Sequence, residues 1–194
     1  MSKSHADVRI VSISSAAQNV MLPGDFKFEF DTPTALSKTV SSYPWKWRYF
    51  LKYLFGFDMI RYAVSKAATC MFAQELQRRL DESGVPILSL AVHPGEIATE
   101  GVMRINTALV GLIARLTFAT PEQGAATPLF AAVAKEVRED PEKYKGKLIE
   151  PVGGIKNAHP STQDEGQVQA LWKITTIEVN KELLAHNLLP LQAW

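Results

Sequence analysis

A tyrosine and a lysine stand four residues apart in this chain, at Tyr62 and Lys66. In a helix that spacing places both side chains on one face. A free phenol has a pKa of about 10, too high for a general base at neutral pH, and a nearby ammonium favours the ionised form. The pair could therefore transfer a proton, although the isolated pattern is also typical of an exposed pair on a helix surface.

Two apolar segments surround this pair and predict how it is positioned. Residues 8–14 form a short run rich in β-branched residues that ends in small hydroxylated ones, and residues 86–92 form a second apolar run. Both are typical of buried parallel strands. The second run leads into a Pro94-Gly95 turn followed by Ile97 and Thr99. Ligands of open α/β sheets bind at the carboxyl ends of such strands.

The order of strand, helix with tyrosine and lysine, strand and Pro-Gly turn resembles the catalytic half of the short-chain dehydrogenase/reductase family. The resemblance implies an α/β fold with a partial Rossmann-like parallel sheet of about three family strands and flanking helices. It also implies catalytic roles for Ser15, which would bind the substrate oxygen, for Tyr62, which would transfer the proton, and for Lys66. With Tyr62 and Lys66 at the ribose, Ile97 and Thr99 would bind the nicotinamide of NADP or NAD, NADP being slightly preferred. Without the tyrosine and lysine, Ser15 would be read as a strand-end serine bonded to backbone.

The glycines do not follow the family pattern. The eleven glycines include no two separated by a single residue. The sequence therefore lacks the glycine-rich motif whose turn lets a pyrophosphate approach a helix amino terminus. The resemblance therefore covers the catalytic half of a truncated member, and we expect weak cofactor binding. We also expect the strand at 8–14 to have an unpaired edge, which a second copy, a full-length relative or residues 26–30 would cover.

Composition excludes several classes of protein. The 194 residues are 46% hydrophobic, enough for one domain over 1–194, and the formal charge of +1 gives no reason to expect nucleic acid. We expect the single cysteine, Cys70, to be a small buried core residue rather than a reactive thiol. The four histidines lack ligand spacing, so no metal is expected. Residues 1–7 are polar without an apolar signal core, which favours the cytoplasm.

Forty-six residues separate Ser15 from Tyr62, far more than in the simpler members of the family. We interpret 16–58 as an inserted, substrate-lid-like segment, similar to that of retinol-dehydrogenase-like and fungal members that reduce bulky apolar ketones. Residues 21–31 alternate apolar and charged side chains and could form a hairpin strand. Residues 43–57 interleave aromatics with cations: a lid is preferred, and ordinary core packing or contact with a membrane surface are the alternatives.

Helical patterns predict the remaining elements. Residues 59–83 form a long helix whose apolar row contains Val64, Ala68, Phe72, Leu76 and Leu80. Residues 105–118 form a helix near the pocket. A capping box opens a helix over 120–140 that Pro128 should bend or interrupt, and 164–186 form the last helix after a short closing strand near 147–150.

Two functional classes remain open on the sequence alone. The first is an NAD(P)-dependent oxidoreductase that acts on a hydrophobic carbonyl or alcohol, in specialised metabolism, by Ser-Tyr-Lys proton transfer. The second is a non-redox protein: a pseudoenzyme, an interaction subunit or a cofactor-free acid/base catalyst. The missing glycines favour the second class, and the three catalytic residues favour the first.

Overall fold

A computed structural model of the chain describes residues 7–38, 40, 44–105 and 107–191. Its four-stranded sheet has the order β1-β2-β3-β4, with β1 Val8–Ile13, β2 Ile87–Val92, β3 Leu148–Glu150 and β4 Gly154–Lys156. The first three strands are parallel, and β4 runs antiparallel to β3. The predicted α/β fold with a mostly parallel sheet is confirmed, whereas the β3–β4 hairpin was not anticipated.

Helices connect and flank these strands. They are α1 Ala17–Met21, α2 Trp45–Phe55, α3 Met59–Glu82, α4 Glu100–Ile105, α5 Ala108–Thr117, α6 Pro121–Val133, α7 Lys135–Glu139, α8 Pro141–Tyr144 and α9 Glu165–Ala185, with 3-10 turns at Pro33–Leu36 and Pro160–Gln163. The parallel connection from β1 to β2 runs through α3.

The long helix α3 is built by local signals at both ends. The Asp58 side chain accepts a hydrogen bond from the backbone of Arg61 at the start, and Gly84 follows the end with a φ of 64°, a conformation that favours glycine. The predicted bounds are confirmed, and the predicted apolar row holds in part, since Leu76 and Leu80 are buried. Phe72 is exposed and stacks on Trp172, because α9 covers that side of α3 only in part.

Two faces of α3 are buried instead of one. Cys70 and Ala73 pack against the sheet residues Ala91 and Leu148. The other face carries Ile60, Ala63, Ala67 and Met71, all fully buried against α9 and the phenylalanines of the inserted segment. Small alanines on this face allow close packing, so α3 is fixed from both sides.

The alternating segment forms no strand. Phe26, Phe28 and Phe30 are buried and Lys27 and Glu29 are exposed, so the alternation was read correctly. However, the phenylalanines pack on α3 and α9 and pair with no strand. The expectation that they cover the edge of β1 is therefore wrong, because they lie in a core cluster away from it.

Strand β1 lies at one edge of the sheet. Within the described residues it pairs with β2 alone, and Val8, Ile10 and Ile13 are exposed. An exposed apolar edge is able to pair with another strand. Pairing with a second copy or a full-length relative stays a prediction.

Two further predictions concern the C-terminal helices. The capping box of Thr120 and Gln123 is present at the start of α6, but Pro128 does not interrupt the helix, which ends at Val133, before Ala134. The extended ψ of 135° at Ala134 separates α6 from α7, so the helix predicted over 120–140 is two helices. The last helix begins after Asp164 and ends before His186, as predicted.

Candidate active site

The carboxyl end of β1 presents two serines with different environments. Ser14 is buried, and its hydroxyl donates to the Lys66 carbonyl over 2.7 Å while accepting from Gln18 and Cys70. Ser15 is half-buried and lines a pocket, where its hydroxyl accepts only from the backbone of Ala17, at 3.2 Å, among the bonds described for it. The first serine is therefore structural, and the second is placed where a ligand could reach it.

Tyr62 and Lys66 lie on the face of α3 that meets this pocket. The Tyr62 ring is 36% exposed, lines the pocket and packs edge-on against Phe57 at 5.9 Å between centroids. The Lys66 ammonium lies 5.5 Å from the centroid of the Tyr62 ring and donates to the Ile13 carbonyl over 3.0 Å. Burial lowers the pKa of Lys66 from its ordinary value. The lysine thus joins the end of β1 to the tyrosine.

Cys70 follows one turn after Lys66. It is buried, as predicted, and its thiol bonds to Ser14 and Gln18. Burial raises the pKa of this thiol, which keeps it protonated and unreactive at neutral pH.

The turn after β2 completes the pocket. Gly95 has a φ of 99°, which a side chain would strain, and it directs the chain so that Ile97 and Thr99 line the same pocket as Ser15 and Tyr62. The Ile97 side chain packs against Gly124 of α6, so a Cβ added at Gly124 would come within 2.5 Å of it. The position of Ile97 therefore depends on that glycine.

The cavity between these elements has a volume of about 560 Å³. Its polar lining comes from Ser15, Tyr62 and the turn, and Lys66 lies behind Tyr62. The remaining walls are mostly apolar and come from α1, α2, α5 and the segments next to them: Ala17, Val20, Met21, Phe55, Phe57, Met59, Val110 and Phe118. Apolar walls with a few polar groups are typical of small-molecule sites.

His93 is a pocket residue that sequence reasoning treated only as the end of a strand. It is 6% exposed, its backbone N–H donates to Ile149, and its Nδ1 has no hydrogen-bond partner among the described residues. Burial lowers its pKa, with Glu96 and Glu150 opposing the shift. Its place directly before Pro94-Gly95 was the only sequence signal available.

Comparison with known proteins finds relatives that are named as dehydrogenases. A short-chain dehydrogenase/reductase of Gibberella zeae is 34% identical over 174 residues, which cover 90% of this chain and 47% of that protein. Another from Macrophomina phaseolina is 40% identical over 115 residues, 59% of this chain and 57% of that protein. Human retinol dehydrogenase 14 is 31% identical over 123 residues, 61% of this chain and 34% of that protein.

The chain belongs to the short-chain dehydrogenase/reductase family. No family model matches it. The chain spans about half the length of the curated relatives it matches, with 47% and 57% of the two fungal proteins covered. An uncharacterised protein from Mycobacterium paratuberculosis has a solved structure that matches with a TM-score of 0.51 at 22% identity, over 88% of this chain and 50% of that one. This likeness supports the Rossmann-like fold.

This short-chain dehydrogenase/reductase has its predicted site residues near the carboxyl ends of its parallel strands. Ser15, Tyr62, Ile97 and Thr99 line one cavity, and Lys66 contacts the tyrosine from outside the lining. In the part of the chain that is described, no group of three histidine, cysteine or acidic side chains could hold a metal. The described helices include none long and apolar enough to cross a membrane. The catalytic and cofactor-binding roles remain predictions.

Proposed function

We propose that this chain carries the proton-transfer site of an NAD(P)-dependent oxidoreductase that acts on a hydrophobic alcohol or carbonyl. The observation that carries the proposal is the placement of Tyr62 and Ser15 on one cavity, with the Lys66 ammonium 5.5 Å from the tyrosine ring. Membership of a family of oxidoreductases supports the same reaction class.

Each residue has a definite role in this proposal. The Ser15 hydroxyl donates a hydrogen bond to the substrate oxygen and orients it. Tyr62 gives its hydroxyl proton to that oxygen during reduction and takes it back during oxidation. The Lys66 ammonium stabilises negative charge on the phenol oxygen, and the low dielectric of the half-buried site strengthens this interaction. The bound dinucleotide would supply or accept the hydride.

The residues fit one end of such a dinucleotide. Lys66 and Tyr62 offer a cation and a hydroxyl for ribose oxygens, and Thr99 lies in the turn that would receive the nicotinamide carboxamide. Gly95, whose φ of 99° suits glycine, keeps this turn free of a side chain where it meets the cavity. The chain offers no glycine-rich turn for the pyrophosphate, so we expect weak binding, with NADP slightly preferred over NAD.

The substrate class follows from the cavity walls. Phe55, Phe57, Val110 and Phe118 give the cavity an apolar lining around one polar group of residues. Relatives named retinol dehydrogenase 14 and polyprenol dehydrogenase match parts of the chain at 31% and 33% identity. We therefore propose an extended apolar substrate with a terminal alcohol or aldehyde.

The first experiment removes one hydroxyl. Tyr62→Phe should abolish retinal reduction by the purified chain with NADPH, because general acid–base catalysis commonly supplies about 10²–10⁴ in rate. Tyr53→Phe, on the exposed side of α2, is the matched control and should keep full activity. Wild-type turnover of Tyr62→Phe would remove the tyrosine from the mechanism.

A second experiment separates the two functional classes. Titration with NADPH and NADH, followed by cofactor fluorescence, should show saturable binding that Lys66→Met weakens. The absence of the glycine-rich turn is the observation that favours the alternative, a non-redox acid/base catalyst or interaction protein. An absence of binding up to about 1 mM cofactor, the upper end of ordinary Michaelis constants, would select that alternative.

A further inference from the structure

The outward face of α2 consists of aromatic side chains. Trp45, Tyr49 and Tyr53 are spaced four residues apart and form one row, and Tyr53 is 85% exposed. Phe50 lies beside this row and is also exposed, whereas Leu51 is the buried residue of the helix. A helix in water normally turns its polar face outward, whereas α2 exposes these aromatics together with Lys46 and Lys52.

The outward face of α5 is aliphatic in the same way. Leu109, Leu112, Ile113 and Leu116 are all exposed, and Leu116 is 77% exposed. Val110 and Ala114 are buried on the opposite side. The Thr107 hydroxyl donates to the Leu54 carbonyl over 2.6 Å, which holds the start of α5 against the end of α2. The two exposed apolar faces thus belong to neighbouring helices.

The charged side chains of α2 and α5 themselves are all basic, and Asp58 lies beside Arg48 and Lys52. Residues 32–57 and 101–121 contain no aspartate or glutamate. Within them, α2 carries Lys46, Arg48 and Lys52, and α4 and α5 carry Arg104 and Arg115. The chain as a whole is nearly neutral, so this concentration of cations is local.

The exposed leucines at the other end of the molecule provide a contrast. Leu188 and Leu189 are exposed next to α9, but Glu178 and Glu182 lie in the same region. Exposed apolar side chains alone therefore do not distinguish the surface of α2 and α5. Its distinguishing feature is the combination of aromatics, aliphatics and an excess of cations, which suits the boundary between the headgroups and acyl chains of an anionic bilayer.

We propose that α2 and α5 form a membrane-docking surface that binds anionic lipid bilayers. In the bound state, the outward leucines and aromatics enter the interface, and the lysines and arginines contact lipid phosphates and carboxylates. The contact is peripheral. It stands apart from the proposed chemistry, because vesicle binding can be measured without turnover.

The test is flotation of the purified chain with phosphatidylcholine vesicles, with and without phosphatidylserine. We expect binding to the vesicles that contain phosphatidylserine, and weaker binding as salt is added. Lys46→Gln with Lys52→Gln should lower the partition coefficient on the order of thirtyfold, since each basic residue near such a surface contributes a factor of about five. Tyr53→Ser with Leu116→Ser should lower it by at least about tenfold through lost apolar burial.

Matched variants elsewhere control for charge and apolar content. Lys173→Gln with Lys181→Gln on α9, and Leu189→Ser beyond it, should leave the partition coefficient unchanged. Equal binding to neutral and anionic vesicles, or binding to neither, would overturn the proposal. Concentration-dependent self-association that Tyr53→Ser abolishes would also overturn it, because a second copy would then be the occupant of this surface.

Discussion

The two sides of the candidate pocket are held in different ways. The inner wall, formed by α3 and the turn after β2, contains Tyr62 and Ile97 and is buried between the sheet, α6 and α9. The outer wall, formed by α2 and α5, buries few side chains and presents its large apolar residues outward. A catalytic group needs a fixed position, and a surface that binds a substrate or partner does not. The difference therefore separates the proposed chemistry from the proposed docking.

The largest expected effect is on the free energy of unfolding, and it is tested by truncating one side chain from each wall. Met71→Ala should lower the free energy of unfolding by about 3 kcal/mol, because Met71 is fully buried in the centre of α3 and truncation leaves a cavity. Tyr53→Ala on α2 should change it by less than about 0.5 kcal/mol, since that ring is exposed. Urea denaturation measures both. Equal losses would contradict the division into two walls.

A glycine tests how tightly the inner wall is packed. Gly124→Ala should cost about 1–3 kcal/mol, because the new methyl group would overlap the Ile97 side chain. Ile97→Ala removes the obstacle, so Gly124→Ala in that background should be neutral or stabilising, as expected for alanine inside a helix. The double-mutant cycle measures the coupling between the two positions. Additive effects would show that contact with Ile97 is not the source of the cost of Gly124→Ala.

The inner wall was largely predictable from the sequence, and the outer wall was not. Parallel strands that end in Ser15 and in Pro94-Gly95 must meet at one edge, so the sequence order alone brings Tyr62 to the same place. The apolar period of α3 located the helix but not its faces, because a helix covered on both sides has no single stripe. On α2, the same kind of pattern could not reveal that the aromatic row stays exposed.

Two other features depended on tertiary neighbours. A turn over residues 151–153 joins β3 to β4 in an antiparallel hairpin. Strand β4 is only three residues long, so its sequence gave no periodic signal. The burial of the His93 Nδ1, which has no hydrogen-bond partner in the described part of the chain, depends on the strands and turn that enclose it. Local sequence patterns carry no information about such enclosure.

His93 gives the inner wall an expected pH dependence. Burial lowers its folded-state pKa below the ordinary value of 6.5, so the unfolded chain takes up a proton first as the pH falls. Stability from this group is therefore complete above about pH 6.5, and declines as the pH falls from there towards the folded-state pKa. Glu96, Glu150 and Lys156 face the ring and modify the shift.

The measurement compares urea unfolding of the wild type and His93→Asn between about pH 7.5 and pH 5, the range in which histidine titrates. The difference in unfolding free energy between the two proteins should decrease as the pH is lowered, because only the wild type loses the histidine contribution. Other titrating groups cancel in the difference. A difference that does not change with pH would show that the ring is not held neutral by burial.

The smallest expected effect concerns the outer wall alone. Thr107 caps α5 by accepting from the Val110 backbone, and its hydroxyl donates to the Leu54 carbonyl of α2. Thr107→Ala removes both bonds and should destabilise α5 locally by about 1 kcal/mol, the usual cost of losing such a cap. Amide hydrogen exchange should then accelerate about fivefold in α5, since exchange reports local opening, and remain unchanged in α3. Thr107→Ser keeps the hydroxyl and should restore the wild-type rates. Faster exchange in both helices would show that the two walls open together.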